Sequence, residues 1–134
     1  MPFLFSRKCE MNGTNFLADT NALIYLLNGN QCMSNYLQKN LYVSVISEME
    51  LLSYSGITPD EEMQIKSFLN DCNEVTLTNE IKDKTIEIRK KYKTKLPDAI
   101  IAASAIVKNI PLITADKGFC QISNLTLELI VPVM

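Results

Sequence analysis

Phe16-Leu17-Ala18-Asp19-Thr20-Asn21-Ala22-Leu23-Ile24-Tyr25-Leu26-Leu27 passes from a short apolar run, through an acid, into a longer one. The first three residues read as a short buried strand. Asp19-Thr20-Asn21 supplies a helix start, and Asn28-Gly29-Asn30 supplies its stop. The same alternation recurs outward along the chain. A helical stretch is expected over about 31–39. Leu41–Ile46 is rich in β-branched residues and predicts a strand. Ser47 is then placed to cap a helix carrying Glu50-Leu51-Leu52, which Ser55-Gly56 ends. Thr58-Pro59-Asp60-Glu61 combines a cap, a first-turn proline and a capping-box glutamate, and predicts a helix to about Asn70. Glu74–Leu77 predicts a strand, and Thr78 caps a helix to about Tyr92. Pro97 opens a helix over about 97–108. Asn109-Ile110-Pro111 then turns the chain into a strand at Leu112–Thr114, and a last strand is expected over Leu127–Val131.

Short apolar strands without polar alternation, separated by helices, predict an α/β fold: a three-layer α/β/α sandwich around a mainly parallel sheet of four to five strands. Residues 1–14 show no periodicity and read as a loose arm, and residues 15–134 read as a single domain. Met11 offers a second possible start.

Composition removes several function classes. The chain has 134 residues, 47% hydrophobic and 21% charged, as expected for a soluble globular protein of ordinary size. No apolar stretch approaches the roughly 20 residues needed to span a bilayer. The opening MPFLFSRKCEMNG is too short and broken for a signal peptide, so a cytoplasmic location is expected. Cys9, Cys32, Cys72 and Cys120 are scattered and form no CxxC pair, which argues against a zinc site or a disulfide framework. The absence of histidine excludes Ser-His-Asp and Cys-His catalysis and any histidine general base. A hydrolase of this composition must work with carboxylates and a metal.

Four acids lie at the edges of apolar runs: Asp19, Glu50, Asp98 and Asp116. Asp19, Asp116 and the segment carrying Glu50 each follow a predicted strand. Parallel α/β sheets bind ligands beyond the carboxyl ends of their strands, so these acids are expected at one edge. Converging carboxylates repel by roughly 1 to 4 kcal/mol per pair at about 4 Å. Such a cluster takes up protons or binds a cation, and oxygen ligands without His or Cys favour Mg²⁺ or Mn²⁺. Each acid also has an ordinary reading. Asp19 caps a helix, Glu50 completes a capping box with Ser47, Asp98 sits favourably at a helix N-terminus and Asp116 starts a turn. Glu48 competes with Glu50 for any metal role.

Net charge is −2, but seven of the thirteen basic residues lie between Lys82 and Lys95. They form either a solvated helix face or a phosphate-binding patch just before Asp98.

Four stretches occur in an order that resembles a known family. They are Phe16-Leu17-Ala18-Asp19-Thr20-Asn21; Ser44-Val45-Ile46-Ser47-Glu48-Met49-Glu50-Leu51-Leu52; Leu96-Pro97-Asp98-Ala99-Ile100-Ile101-Ala102-Ala103-Ser104-Ala105; and Leu112-Ile113-Thr114-Ala115-Asp116 with Phe119. Together they resemble PIN-domain nucleases, and specifically the VapC-type toxins of bacterial toxin–antitoxin pairs, over about residues 15–130. The resemblance implies a PIN-like fold and a Mg²⁺- or Mn²⁺-dependent endoribonuclease cutting tRNA- or rRNA-class RNA. Asp19, Glu50, Asp98 and Asp116 would be its catalytic and metal-binding acids, with Thr20, Asn21 and Thr114 supporting them. It further implies a cognate antitoxin and a homodimer. Tyr25, Leu26, Leu27, Met33 and Tyr36 are either a surface for such partners or ordinary core. Three other readings stand beside it: a PIN nuclease of RNA processing that is no toxin, an aspartate-dependent phosphatase or phosphotransfer domain, and a non-catalytic binding module. The second expects an acid two residues after Asp19, where this chain has Asn21.

Overall fold

The structure, a computed structural model, describes residues 15–133. The arm expected over residues 1–14 lies outside them. Five strands, β1 (Asn15–Ala18), β2 (Asn40–Ser44), β3 (Asn73–Val75), β4 (Leu112–Thr114) and β5 (Leu127–Leu129), pair in the order β3-β2-β1-β4-β5. Every pairing is parallel. The helices are α1 (Thr20–Leu27), α2 (Val45–Leu52), α3 (Pro59–Asn70), α4 (Asn79–Lys91) and α5 (Leu96–Lys108), with 3-10 turns at Gln31–Tyr36 and Lys117–Gln121.

Successive strand side chains point to opposite faces, and both faces of this sheet are covered. Phe16 and Ala18 join a core with Leu23, Leu26, Leu51, Ile65 and Phe68, on the side of α1, α2 and α3. Leu17, between them, joins a second core with Ile81, Ile88, Ile101 and Leu112, on the side of α4 and α5. Burial on both sides explains why the strands lack polar alternation. Leu26, Met33 and Tyr36 are buried in the first core. Of the apolar residues considered as partner surface, Tyr25 and Leu27 are partly exposed.

α5 carries seven consecutive buried residues, Ala99 to Ala105. Small side chains on this helix let it lie close to its neighbours. It ends at Asn109, whose φ of 57° is left-handed, a conformation asparagine tolerates better than most residues. Thr58 makes the expected capping box with Glu61, and Thr78 caps α4.

Several boundaries differ from expectation: β3 ends at Val75 and not Leu77, and β5 at Leu129 and not Val131. The stretch 31–39 forms only a 3-10 turn, ending at Tyr36. Strand β2 stops at Ser44, whose hydroxyl caps α2 by accepting the Ile46 N–H at 3.1 Å. Val45 and Ile46, β-branched and strand-like by propensity, are therefore helical, and Ile46 packs against the second core.

The topology sets the place of the site. From β1 the chain moves outward to β2 and β3, then returns through α4 and α5 to β4 on the other side of β1. Strand order reverses between β1 and β4. In open parallel sheets, the crevice beyond the carboxyl ends of such strands is where ligands bind.

Candidate active site

Asp19 sits at this reversal, directly after β1, and is 6% exposed. It caps α1: its Oδ1 accepts the Ala22 N–H at 2.8 Å. Its Oδ2 accepts from the buried Thr114 hydroxyl at the end of β4. The same hydroxyl accepts the Asp116 N–H at 3.0 Å. One threonine thus joins the two acids across the strand reversal, using both its donor and an acceptor site. Burial pushes the Asp19 carboxyl above the usual aspartate range. The Thr114 and Ala22 hydrogen bonds oppose this, and the charges of Asp98 and Asp116 reinforce it.

Glu50 reaches the same region from α2, where it accepts from the Thr20 hydroxyl. Thr20 Oγ1 lies 2.8 Å from Ser47 Oγ. Since Thr20 spends its one proton on Glu50, Ser47 donates to Thr20. Ser47 is fully buried inside α2, so it neither caps the helix nor forms a capping box with Glu50. Glu48 points elsewhere. It hydrogen-bonds Glu74, and that contact together with burial holds its carboxyl above the ordinary range. Both line a small cleft with Val43, Leu69 and Cys72. Of the two glutamates left open in the sequence, Glu50 lies within electrostatic range of Asp98, whereas Glu48 lies against Glu74.

Asp98 stands in the first turn of α5, which starts without a side-chain cap. Burial raises its carboxyl, the charges of Asp116 and Glu50 raise it further, and Lys95 pulls it down. Asp116 caps the second 3-10 turn, its Oδ1 accepting the Gly118 N–H at 2.8 Å. A Cβ on Gly118 would stand 3.0 Å from that same oxygen, so the glycine leaves room for this carboxylate. Asn21 is exposed on α1.

Asp98 thus lies within electrostatic range of Asp19, Asp116 and Glu50, and Asp19 within range of Asp116, the four acids being carried by four different segments. Among the described residues, however, no group of three or more acidic, histidine or thiol side chains is arranged to hold an ion. The ion pairs among those residues, Lys66–Glu62 and Lys84–Glu87, are not at the site. What results is a concentration of negative charge built from oxygen ligands and held by hydroxyls. Ser47, read in the sequence as a helix cap, is instead a buried partner of Thr20, one turn before Glu50.

Beside Glu50 opens a groove of about 530 Å³ between α1, α2 and α3, walled by Ile24, Leu27, Leu51 and Ile65. Glu50 and Glu61 supply its charge, and among the described residues no basic side chain lines it.

The PIN domain family model matches residues 16–125, which takes in all four acids and the sheet up to β5. The chain belongs to the PIN domain family. PIN domains are nucleases, which leaves the phosphotransfer reading without support. Among solved structures, this PIN domain is similar to a toxin–antitoxin complex from Klebsiella pneumoniae, at 30% identity and a TM-score of 0.72, over 82% of this chain and 94% of that one. It also shares its fold with VapBC2 from Rickettsia felis bound to a promoter DNA fragment, at 23% identity and a TM-score of 0.77, over 87% and 99% of the two chains. VapBC-1 from nontypeable Haemophilus influenzae matches at 22% identity and a TM-score of 0.75, over 86% and 97%. Among curated proteins, no sequence matches.

Proposed function

We propose that this PIN domain is a metal-dependent endoribonuclease, acting in the cytoplasm as the toxin of a toxin–antitoxin pair, with Asp19, Glu50, Asp98 and Asp116 as its catalytic acids. The observation that supports this best is the crowding of negative charge around Asp19 and Asp98. Asp98 and Asp116 act on Asp19, while Asp116 and Glu50 act on Asp98. Carboxylates crowded this way are stabilised by a cation, and an all-oxygen set suits Mg²⁺ or Mn²⁺. Mg²⁺ keeps several waters, so two or three of the four acids suffice to hold it.

When bound, the ion supplies Lewis acidity, activating water and offsetting charge on the phosphodiester. The protein supplies position. Thr114 and the Ala22 N–H fix both oxygens of Asp19, Thr20 orients Glu50, and Gly118 holds Asp116. The substrate is RNA of the tRNA or rRNA class, cut at a phosphodiester bond.

The groove beside Glu50 suits the partner. The similar structures are toxin–antitoxin complexes, and we assign the groove to a cognate antitoxin segment with aliphatic side chains for its walls and a basic one for Glu50 and Glu61. A homodimer belongs to the same reading.

Cleavage of total RNA with Mn²⁺ tests the function. Activity should vanish with EDTA and in Asp98→Asn, while the far-ultraviolet circular dichroism of that variant stays native. Cleavage that survives both treatments would overturn the proposal.

A further inference from the structure

The structure divides the seven clustered cations, and the division assigns them different work. Lys82 and Lys84 lie in the first half of α4, and Lys84 is held by Glu87 at 3.0 Å. At about 1.5 Å rise per residue, Lys82 stands roughly 15 Å along the helix from Tyr92. Lys93 and Lys95, by contrast, are exposed in the short connection between α4 and α5. Lys95 immediately precedes α5 and is near enough to Asp98 to act on its carboxyl.

That connection is fastened on both sides. Tyr92 Oη lies 2.7 Å from Ser123 Oγ and accepts the Ser123 N–H at 3.0 Å, which ties it to the segment that follows Asp116. Arg89 Nε donates to the Thr94 carbonyl at 3.2 Å. Lys91 Nζ sits 5.4 Å from the centre of the Tyr92 ring, within cation–π range. Thr94 Oγ1, between the two lysines, is buried and has no protein partner among the described residues.

We propose that Tyr92–Lys95 is an RNA-backbone clamp. Lys93 and Lys95 contact phosphates flanking the scissile bond, Tyr92 and Ser123 act as positioning residues that hold them beside the acids, and Lys82 and Lys84 take no part. This rests on the ribonuclease reading above. Lysine contacts to phosphate set the register of the strand without reading its bases. In a protein of net charge −2 such a clamp supplies positive charge next to the acids, with Lys95 within range of Asp98.

Fluorescence anisotropy with a labelled single-stranded oligoribonucleotide, across a salt series, separates the parts. The Lys93→Ala/Lys95→Ala double variant should bind more weakly and lower the log–log salt slope by about 1.4, at about 0.7 per lost phosphate contact. Lys82→Ala/Lys84→Ala should leave both affinity and slope unchanged. Tyr92→Phe should raise KM by about 2- to 10-fold, the effect of a hydrogen bond or so, with kcat and Mn²⁺ affinity unaltered. Ser123→Ala, which keeps the backbone donor, should cost less. Equal losses from the two lysine pairs, or a wild-type KM in Tyr92→Phe, would overturn the clamp while leaving the ribonuclease intact. A wild-type protein that neither binds nor cuts RNA would end both.

Discussion

Asp19 carries a conflict between folding and function. Its carboxylate is fixed by two donors yet buried among other acids, and the balance raises its pKa. The folded state therefore holds that proton more tightly than the unfolded chain. The contribution of this group to stability is fully present below its ordinary pKa of 3.8 and is lost as pH rises through the raised folded value. Without metal, Asp19→Asn should be more stable than the wild type near neutral pH and should lose that advantage towards pH 3. Urea melts of both proteins across this range measure it; a gap independent of pH would show that Asp19 titrates normally. The same substitution should abolish RNA cleavage. At this scale the sequence marked the acids by their place after apolar runs, but it did not distinguish Glu48 from Glu50. Two residues apart on a helix, they differ in direction by about 200°, and only the packing of α2 decides which faces Asp98.

Among the elements, α5 is the most tightly constrained. Ala103 is fully buried within its run of small residues, and a larger side chain has no space to enter. Ala103→Leu should cost about 1–3 kcal/mol by overpacking; a denaturation midpoint equal to that of the wild type would show that the helix has room to shift. Tyr36 ties the first 3-10 turn to β5, its hydroxyl donating to Glu128 at 2.8 Å while its ring meets Phe16 edge-on at 5.2 Å. Burial and that carboxylate push its phenol up to about 12. Tyr36→Phe should keep the ring contact and lose roughly 1 kcal/mol, and the wild type should lose this stabilisation as pH rises from 10 towards 12. Elements with local signals were legible: Thr58-Pro59-Asp60-Glu61 announced α3, and Thr78 announced α4. The β2–α2 boundary was not, because Val45 and Ile46 carry strand propensity while tertiary packing makes them helical. That error also turned Ser47 from a buried partner of Thr20 into an apparent cap.

For the whole molecule, the expectation concerns the charge its fold concentrates. If a divalent ion binds the four acids only when they are gathered, it binds the folded state alone. Mn²⁺ at a hundred times its Kd should then add about 2.7 kcal/mol to stability. Thermal melts with and without the ion measure this, and Asp98→Asn should respond much less. An unchanged wild-type midpoint would mean that the acids gather no ion. No helix among the described residues is long and apolar enough to cross a membrane. The strand–helix alternation, the double-sided burial of the sheet and the identity of the four acids were set by the sequence itself, because hydrophobic period, caps and breakers act over a few residues. The placement of β4 beside β1, the hydroxyl of Thr114 joining Asp19 to Asp116, the Ser47–Thr20–Glu50 chain and the fastening of Tyr92 to Ser123 were decided only by the tertiary structure. These contacts join residues 27 to 95 positions apart, and their geometry depends on how whole layers pack, which no local pattern encodes.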